Sequence, residues 1–315
     1  MEVTRTIVVG TRQSRLAVTQ TEHVVRRLEE ISRDHGLGMR FEIRTIVTRG
    51  DQILDVTLSK VGGKGLFVKE IEQALLDGGI DLAVHSMKDV PSELPDALTI
   101  GAVPRRADPR DCLVSRDGRT LDELPKGARI GTSSLRRTAQ LRALRPDLVV
   151  ESVRGNIDTR LRKLETEGFD AIVLAAAGLA RVGWEDRITE KLSVEAMVPA
   201  AAQGALGVEC RKNDDAVLEL LSYLRDPETE TAVRAERAFL ARLNGGCQVP
   251  IGAHAVLVGE GDRRSVELVG FVGSPDGSML LKERQRGEHP ETVGRELAET
   301  LLGLGADRIL QEAGE

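Results

Sequence analysis

The chain has 315 residues, 44 Lys and Arg against 50 Asp and Glu, and a formal net charge of −6. That length exceeds one typical domain, and an acidic chain with 2% aromatic residues is a poor candidate for nucleic-acid binding by bulk charge or base stacking. No apolar run reaches the ~18 residues that span a bilayer, no charged-then-apolar leader precedes Thr6, and the widely spaced Cys112, Cys210 and Cys247 argue against a disulfide framework or a zinc site, so a cytoplasmic chain without nucleic-acid or membrane partners is expected.

Residues 3–9 read as a strand, and 15–32 place Leu16, Val24, Leu28 and Ile31 near one helical face. A period-two strand over 41–47 follows, then a helix over 66–76 stopped by Gly78-Gly79, and strands over 80–84 and 98–103. A second series begins after Asp111. It has strands over 112–115, 129–131, 148–152 and 170–174, with helices over 134–145 and from an Asn156 cap to about 167. This alternation predicts α/β layers with much parallel sheet. The last third changes to a helix over 228–243, strands over 254–259, 265–272 and 278–284, a Pro275-Asp276-Gly277 turn, and a closing helix over 291–302. That pattern predicts a small α+β domain.

Basic and hydroxylic residues gather where strands should end and helices begin, the positions at which α/β sheets bind anions. One such junction is Gly10-Thr11-Arg12-Gln13-Ser14. Another is Gly131-Thr132-Ser133-Ser134-Leu135-Arg136-Arg137, whose two guanidinium forks suit carboxylates. Arg154-Gly155-Asn156 through Arg160 is a third, and Arg181 marks a candidate fourth. For the first two junctions the alternative is a solvated helix start or face. The glycine run from Lys60 through Lys64 to Phe67 lacks P-loop spacing and reads as a flexible lid.

Asp89 follows a buried-type strand beside Lys88 and could accept N–H bonds or face a developing cation; an ion-paired or capping role is the alternative. His85 reads as structural rather than as a base. Cys112 and Cys210 lie in apolar runs and read as core. Cys247, in Asn244-Gly245-Gly246-Cys247-Gln248, is either an adaptable loop thiol open to covalent modification or a small buried hydrophobe.

Taken in order, these strings resemble the porphobilinogen deaminase family. They are 11–14 (TRQS), 47–51 (VTRGD), 60–67 (KVGGKGLF), 83–91 (AVHSMKDVP), 131–137 (GTSSLRR), 154–156 (RGN), 203–205 (QGA) and 245–252 (GGCQVPIG). The resemblance implies head-to-tail condensation of four porphobilinogen molecules into hydroxymethylbilane with release of ammonia. It implies a dipyrromethane cofactor held by a thioether to Cys247 and a catalytic Asp89. Lys88, Asp89, Thr132, Ser133, Ser134, Arg136, Arg137, Arg154 and Arg160 would bind the cofactor. Arg12, Ser14, Arg154, Arg160 and Arg181 would bind substrate, with Lys60, Lys64 and Phe67 in the lid. No metal is implied. The implied fold is two type II periplasmic-binding-protein-like domains, 1–104 with 205–222 and 105–204, plus a small α+β domain, 223–315, in a monomer. The competing class is a non-enzymatic carboxylate-binding module of the same two-domain fold, which leaves Asp89 and the Cys247 loop unexplained.

Overall fold

A computed structural model describes residues 4–52, 68–244, 249–259, 261 and 264–314. The expectations for Lys60, Lys64, Phe67 and Cys247 therefore lie outside the described residues. The chain divides into two compact units, Met1–Arg106 with Ala205–Glu230 and Ala107–Gly204 with Thr231–Glu315.

The first unit opens with β1 (Arg5–Arg12), helix α1 (Arg15–Asp34) and β2 (Met39–Ile46). Ser14 starts α1 by accepting the Ala17 N–H at 3.4 Å. A short helix α2 (Arg49–Gln52) and helix α3 (Lys69–Leu76) come next. Strand β3 (Leu82–Ser86), a 3-10 turn (Met87–Asp89) and β4 (Leu98–Ala102) follow. Much later the chain returns as β10 (Leu206–Arg211) and α7 (Asp215–Ser222). The sheet order is β2-β1-β3-β10-β4, with β10 antiparallel to both neighbours. One face buries Ile7, Val9, Leu28, Val84 and Val208; the other buries Ile71, Leu75, Ile80 and Leu98.

In the second unit the sheet is built from β5 (Asp111–Ser115), β6 (Arg129–Gly131), β7 (Val149–Glu151), β8 (Ala171–Ala175) and β9 (Glu190–Lys191). Its order is β7-β6-β8-β5-β9, with β5 antiparallel to its neighbours. The two sheets thus share one plan: the fourth strand runs against the rest and is the first strand made after the chain crosses over from the other unit. Helices α4 (Leu135–Leu144), α5 (Ile157–Thr166) and α6 (Ala176–Arg181) follow β6, β7 and β8. These are the two α/β sheet-and-helix layers expected from the sequence, followed by the small C-terminal domain. The parallel character expected from sequence holds for β1 with β2 and β3, and for β6 with β7 and β8.

Helix α8 (Pro227–Arg242) leads into an antiparallel sheet of β11 (Ile251–Val258), β12 (Ser265–Gly273) and β13 (Leu280–Gly287). Helix α9 (Pro290–Gly303) does not end the chain; a further helix, α10 (Ala306–Gly314), buries Ala306 and Ile309. One face of this sheet packs Leu268 and Val272 against Phe239, Leu297 and Leu301. The other face sets Val269 and Phe271 against Ala139 of α4 and Val198. Gly252 is needed at the join: a Cβ there would meet the Val198 carbonyl at 2.8 Å and the Pro199 carbonyl at 3.0 Å.

Candidate functional site

In the first unit the candidate residues sit at the carboxyl end of the sheet. Strands β1 and β3 are parallel, with Gly10 opposite Ala83, so Arg12 and the Met87–Asp89 turn leave the same edge. Ser14 at this edge is spent as a helix cap. Asp89 is half-buried, and among the described residues nothing donates a hydrogen bond to its carboxylate or pairs with it. A carboxylate in that state is available to a ligand. His85 is instead held inside, its Nε2 2.9 Å from Glu209 Oε2, with both side chains almost fully buried. The structural reading of His85 fits that pairing. Burial, and after it the charge of Glu209, raises the carboxyl of Glu72 on α3.

In the second unit three junctions open from one end of the sheet. The loop after β6 is tightly wired: Thr132 Oγ1 accepts the Ser134 N–H at 3.2 Å, and Ser133 Oγ donates to the Val153 carbonyl at 2.6 Å. Ser134 Oγ caps α4 by accepting the Arg137 N–H at 3.5 Å. Asn156 caps α5 through the Thr159 N–H at 2.9 Å.

The arginines fall into two groups. Arg136 and Arg137 are buried, and both grip the fully buried Asp111 at the start of β5. Burial alone would raise the Asp111 carboxyl, but the charges of Arg136 and Arg137 outweigh it and hold the group well below the usual carboxylate range. Burial lowers Arg136, offset in part by that same carboxylate. Arg160 and Arg181 have no such relief. Burial, then the charges of Arg137 and Arg154, bring the Arg160 guanidinium down to about 10, and among the described residues its one side-chain bond is Nε to the Gly155 carbonyl at 2.8 Å. Burial brings Arg181 to about 10, with Nη2 donating to the Gly204 carbonyl at 2.6 Å. Arg181 closes the last turn of α6 rather than opening a helix, unlike the junction expected from sequence.

Among the described residues Arg160 and Arg181 are desolvated guanidiniums with no carboxylate beside them, an arrangement that fits a group that brings its own carboxylates. Thiol chemistry narrows the tether. Burial pushes the Cys112 thiol up to about 12 and the Cys210 thiol up to about 11, so neither is a usable nucleophile at neutral pH. Cys247 follows the end of α8, where Asn244 takes the left-handed φ of 51° and turns the chain out of the helix. Among the described residues no group of three or more His, Cys, Asp or Glu is placed to hold a metal ion.

Sequence reasoning missed Asp111 and Gln203, whose Nε2 donates to Asp111 Oδ1 at 2.9 Å and to the Pro109 carbonyl at 2.8 Å. The signal was present. A carboxylate opening a strand that continues Cys112-Leu113-Val114 is headed for burial, and a buried carboxylate needs a cation.

Comparison with known proteins gives two family matches. Residues 7–219 match "Porphobilinogen deaminase, dipyromethane cofactor binding domain", and residues 230–303 match "Porphobilinogen deaminase, C-terminal domain". Porphobilinogen deaminase of Paenibacillus macerans is 60% identical over 317 residues, covering 96% of this chain and 98% of that protein. That of Bacillus subtilis (strain 168) is 55% identical over 316 residues, covering 99% and 98%. Among solved structures, a Salmonella typhimurium periplasmic binding protein of high arginine specificity aligns with TM-score 0.40 at 14% identity, covering 72% of this chain and 96% of that one. A TRAP periplasmic solute binding protein of Desulfovibrio salexigens DSM2638 aligns with TM-score 0.44 at 11% identity, covering 70% and 72%.

Proposed function

The chain belongs to the porphobilinogen deaminase family, and from that premise we propose that Cys247 is its cofactor tether and Asp89 the residue that serves each condensation. As a member it is a transferase that uses porphobilinogen and a dipyrromethane cofactor to make hydroxymethylbilane, with loss of ammonia at each addition. When bound, the dipyrromethane supplies the pyrrole position at which chain growth starts.

The arginines answer a charge problem. Each porphobilinogen bears an acetate and a propionate, so the product gains two negative charges per ring while the chain as a whole is acidic. Arg12, Arg154, Arg160 and Arg181, with Ser14 at the first junction, are read as the substrate side. Arg136, Arg137, Arg154 and Arg160, with Lys88, Thr132, Ser133 and Ser134, are read as the cofactor side. The observation that carries this is the lowered guanidinium of Arg160, crowded by two other cations. Asp89 would hydrogen-bond pyrrole N–H groups. It would also stabilise the cationic pyrrole nitrogen left when ammonia departs, and carry a proton to the departing amine. Lys60, Lys64 and Phe67 are assigned to a lid.

The boundaries read from sequence, 1–104 with 205–222, 105–204 and 223–315, are retained as three domains. A cytoplasmic monomer without nucleic-acid or membrane partners completes the reading, and the free thiols of Cys112 and Cys210 fit a reducing compartment.

Intact mass tests the centre of it. The unaltered chain should exceed its sequence mass by one dipyrromethane, and Cys247→Ser should not. An unmodified mass for the chain made in the presence of porphobilinogen would remove Cys247 from this role.

A further inference from the structure

We propose that Asp111 is the positioning residue of the arginine pair: it fixes the guanidiniums of Arg136 and Arg137 in the scaffold and so aims Arg137 at a ligand carboxylate. The proposal rests on the reading of Arg137 as a cofactor ligand.

Asp111 is fully buried and accepts five N–H bonds. Oδ1 takes Arg137 Nε at 3.0 Å and Nη2 at 2.7 Å, Arg136 Nη2 at 3.3 Å and Gln203 Nε2 at 2.9 Å. Oδ2 takes Arg136 Nη1 at 2.6 Å. Among the described residues each arginine then makes one further side-chain bond, to a different backbone carbonyl. Arg136 Nη1 also donates to the Val198 carbonyl at 2.7 Å. That carbonyl is the one Gly252 of β11 packs upon, and the Ala253 N–H bonds the next carbonyl, of Pro199, at 2.9 Å. Arg136 is therefore a strut between the second sheet and the strand that begins four residues after Cys247.

Among the described residues Arg137 likewise makes one bond beyond Asp111, Nη1 to the Val173 carbonyl at 2.9 Å. A guanidinium has five N–H groups; with Nε and one N–H of each Nη used, one N–H on each Nη is left. Its Nε–Nη2 edge is pinned to Asp111, so those two are the hydrogens offered onward. The charges agree. One carboxylate faces two guanidiniums, so the pair keeps a positive charge, and that charge acts on Arg160. A neutral acceptor at 111 would leave both cations uncompensated and Arg137 free to swing.

The test uses full-length chain produced with porphobilinogen, reading the cofactor-loaded fraction by intact mass together with KM, kcat and the thermal midpoint. Asp111→Asn should lower loading and raise KM about tenfold, equivalent to about 1.4 kcal/mol. Leu124→Ala, a buried change that removes no hydrogen bond of Asp111, Arg136 or Arg137, serves as a control of equal or greater thermal loss and should load normally. Gln203→Met, which keeps every charge but removes one donor from Oδ1, should shift loading and KM in the same direction by a smaller factor, and it decides the matter should Asp111→Asn fail to fold. Normal loading and KM in the Asp111 and Gln203 variants, or equal losses in Leu124→Ala, would overturn the proposal. Arg137→Leu separates the two readings. If it loads normally, Arg137 is no ligand; if it fails to load while the Asp111 and Gln203 variants are normal, only the positioning role falls.

Discussion

Replacing Arg160 by Met should make the cofactor-free protein more stable and the enzyme worse. The drop of its guanidinium from the ordinary arginine value to about 10 corresponds to about 3 kcal/mol held against the folded state, because burial and the neighbouring charges of Arg137 and Arg154 disfavour the cation. The side chain is half-buried, so solvent screening reduces this to about 2 kcal/mol. The lost bond from Nε to the Gly155 carbonyl returns about 1 kcal/mol. A gain of about 1 kcal/mol remains, equivalent to about 2–4 °C in a unit of this size. The measurement is thermal unfolding of Arg160→Met against its parent, both carrying Cys247→Ala so that no cofactor is attached. In the chain with Cys247 intact, the same substitution should cost about 10- to 100-fold in kcat/KM, the scale of one charge-assisted hydrogen bond of about 1.5–3 kcal/mol. Opposite signs are the signature of a residue kept for a ligand. A cofactor-free variant that melts at or below its parent, or one that turns over normally, would refute the reasoning.

Other expectations follow from single observations. Asp89→Ala should leave the thermal midpoint unchanged, since among the described residues nothing pairs with that carboxylate, while turnover falls about 10²- to 10⁴-fold; near-normal rates would remove it from the chemistry. Glu72 titrates above the ordinary carboxylate value in the fold, because of burial and then Glu209. The stability tied to its protonated form is therefore present in acid and lost as pH rises through the folded value. Glu72→Gln should melt above the parent at neutral pH and match it in acid; a constant difference across pH would count against this. Gly252→Ala should destabilise by about 1–3 kcal/mol and lower the cofactor-loaded fraction, because its Cβ meets the Val198 and Pro199 carbonyls that seat β11; an unshifted midpoint would show that the join is slack.

Much of the architecture was legible because local physics coincides with it. Ser14, Ser134 and Asn156 are side-chain caps that announce their helices, and the apolar runs of β3, β5 and β8 can only be buried strands. The helix Ala306–Gly314 was not read, because Gly303 and Gly305 look like the end of structure and only Ala306 and Ile309 mark its buried face. At the site, residue type was informative but partnership was not. Two adjacent arginines at a helix start gave no sign that Asp111, from a strand 25 residues earlier, binds both. Such pairings depend on which strands become neighbours, and here β5 lies beside β8 by a reversal of direction that no local pattern encodes.

The placement of the antiparallel strand in the first sheet also sets a schedule for biosynthesis. Strand β4 reaches its sheet only through β10, so it has no partner when it leaves the ribosome and gains one only after the chain has travelled through the second sheet and returned. At about 5–20 residues per second, the roughly 100 intervening residues take about 5–20 s. During that time the outer edge of β3 and the whole of β4 are unpaired strand edges, the kind that recruit foreign strands. A nascent chain halted before Leu206 should therefore occupy holdase chaperones, and one extended past Arg211 should be released from them.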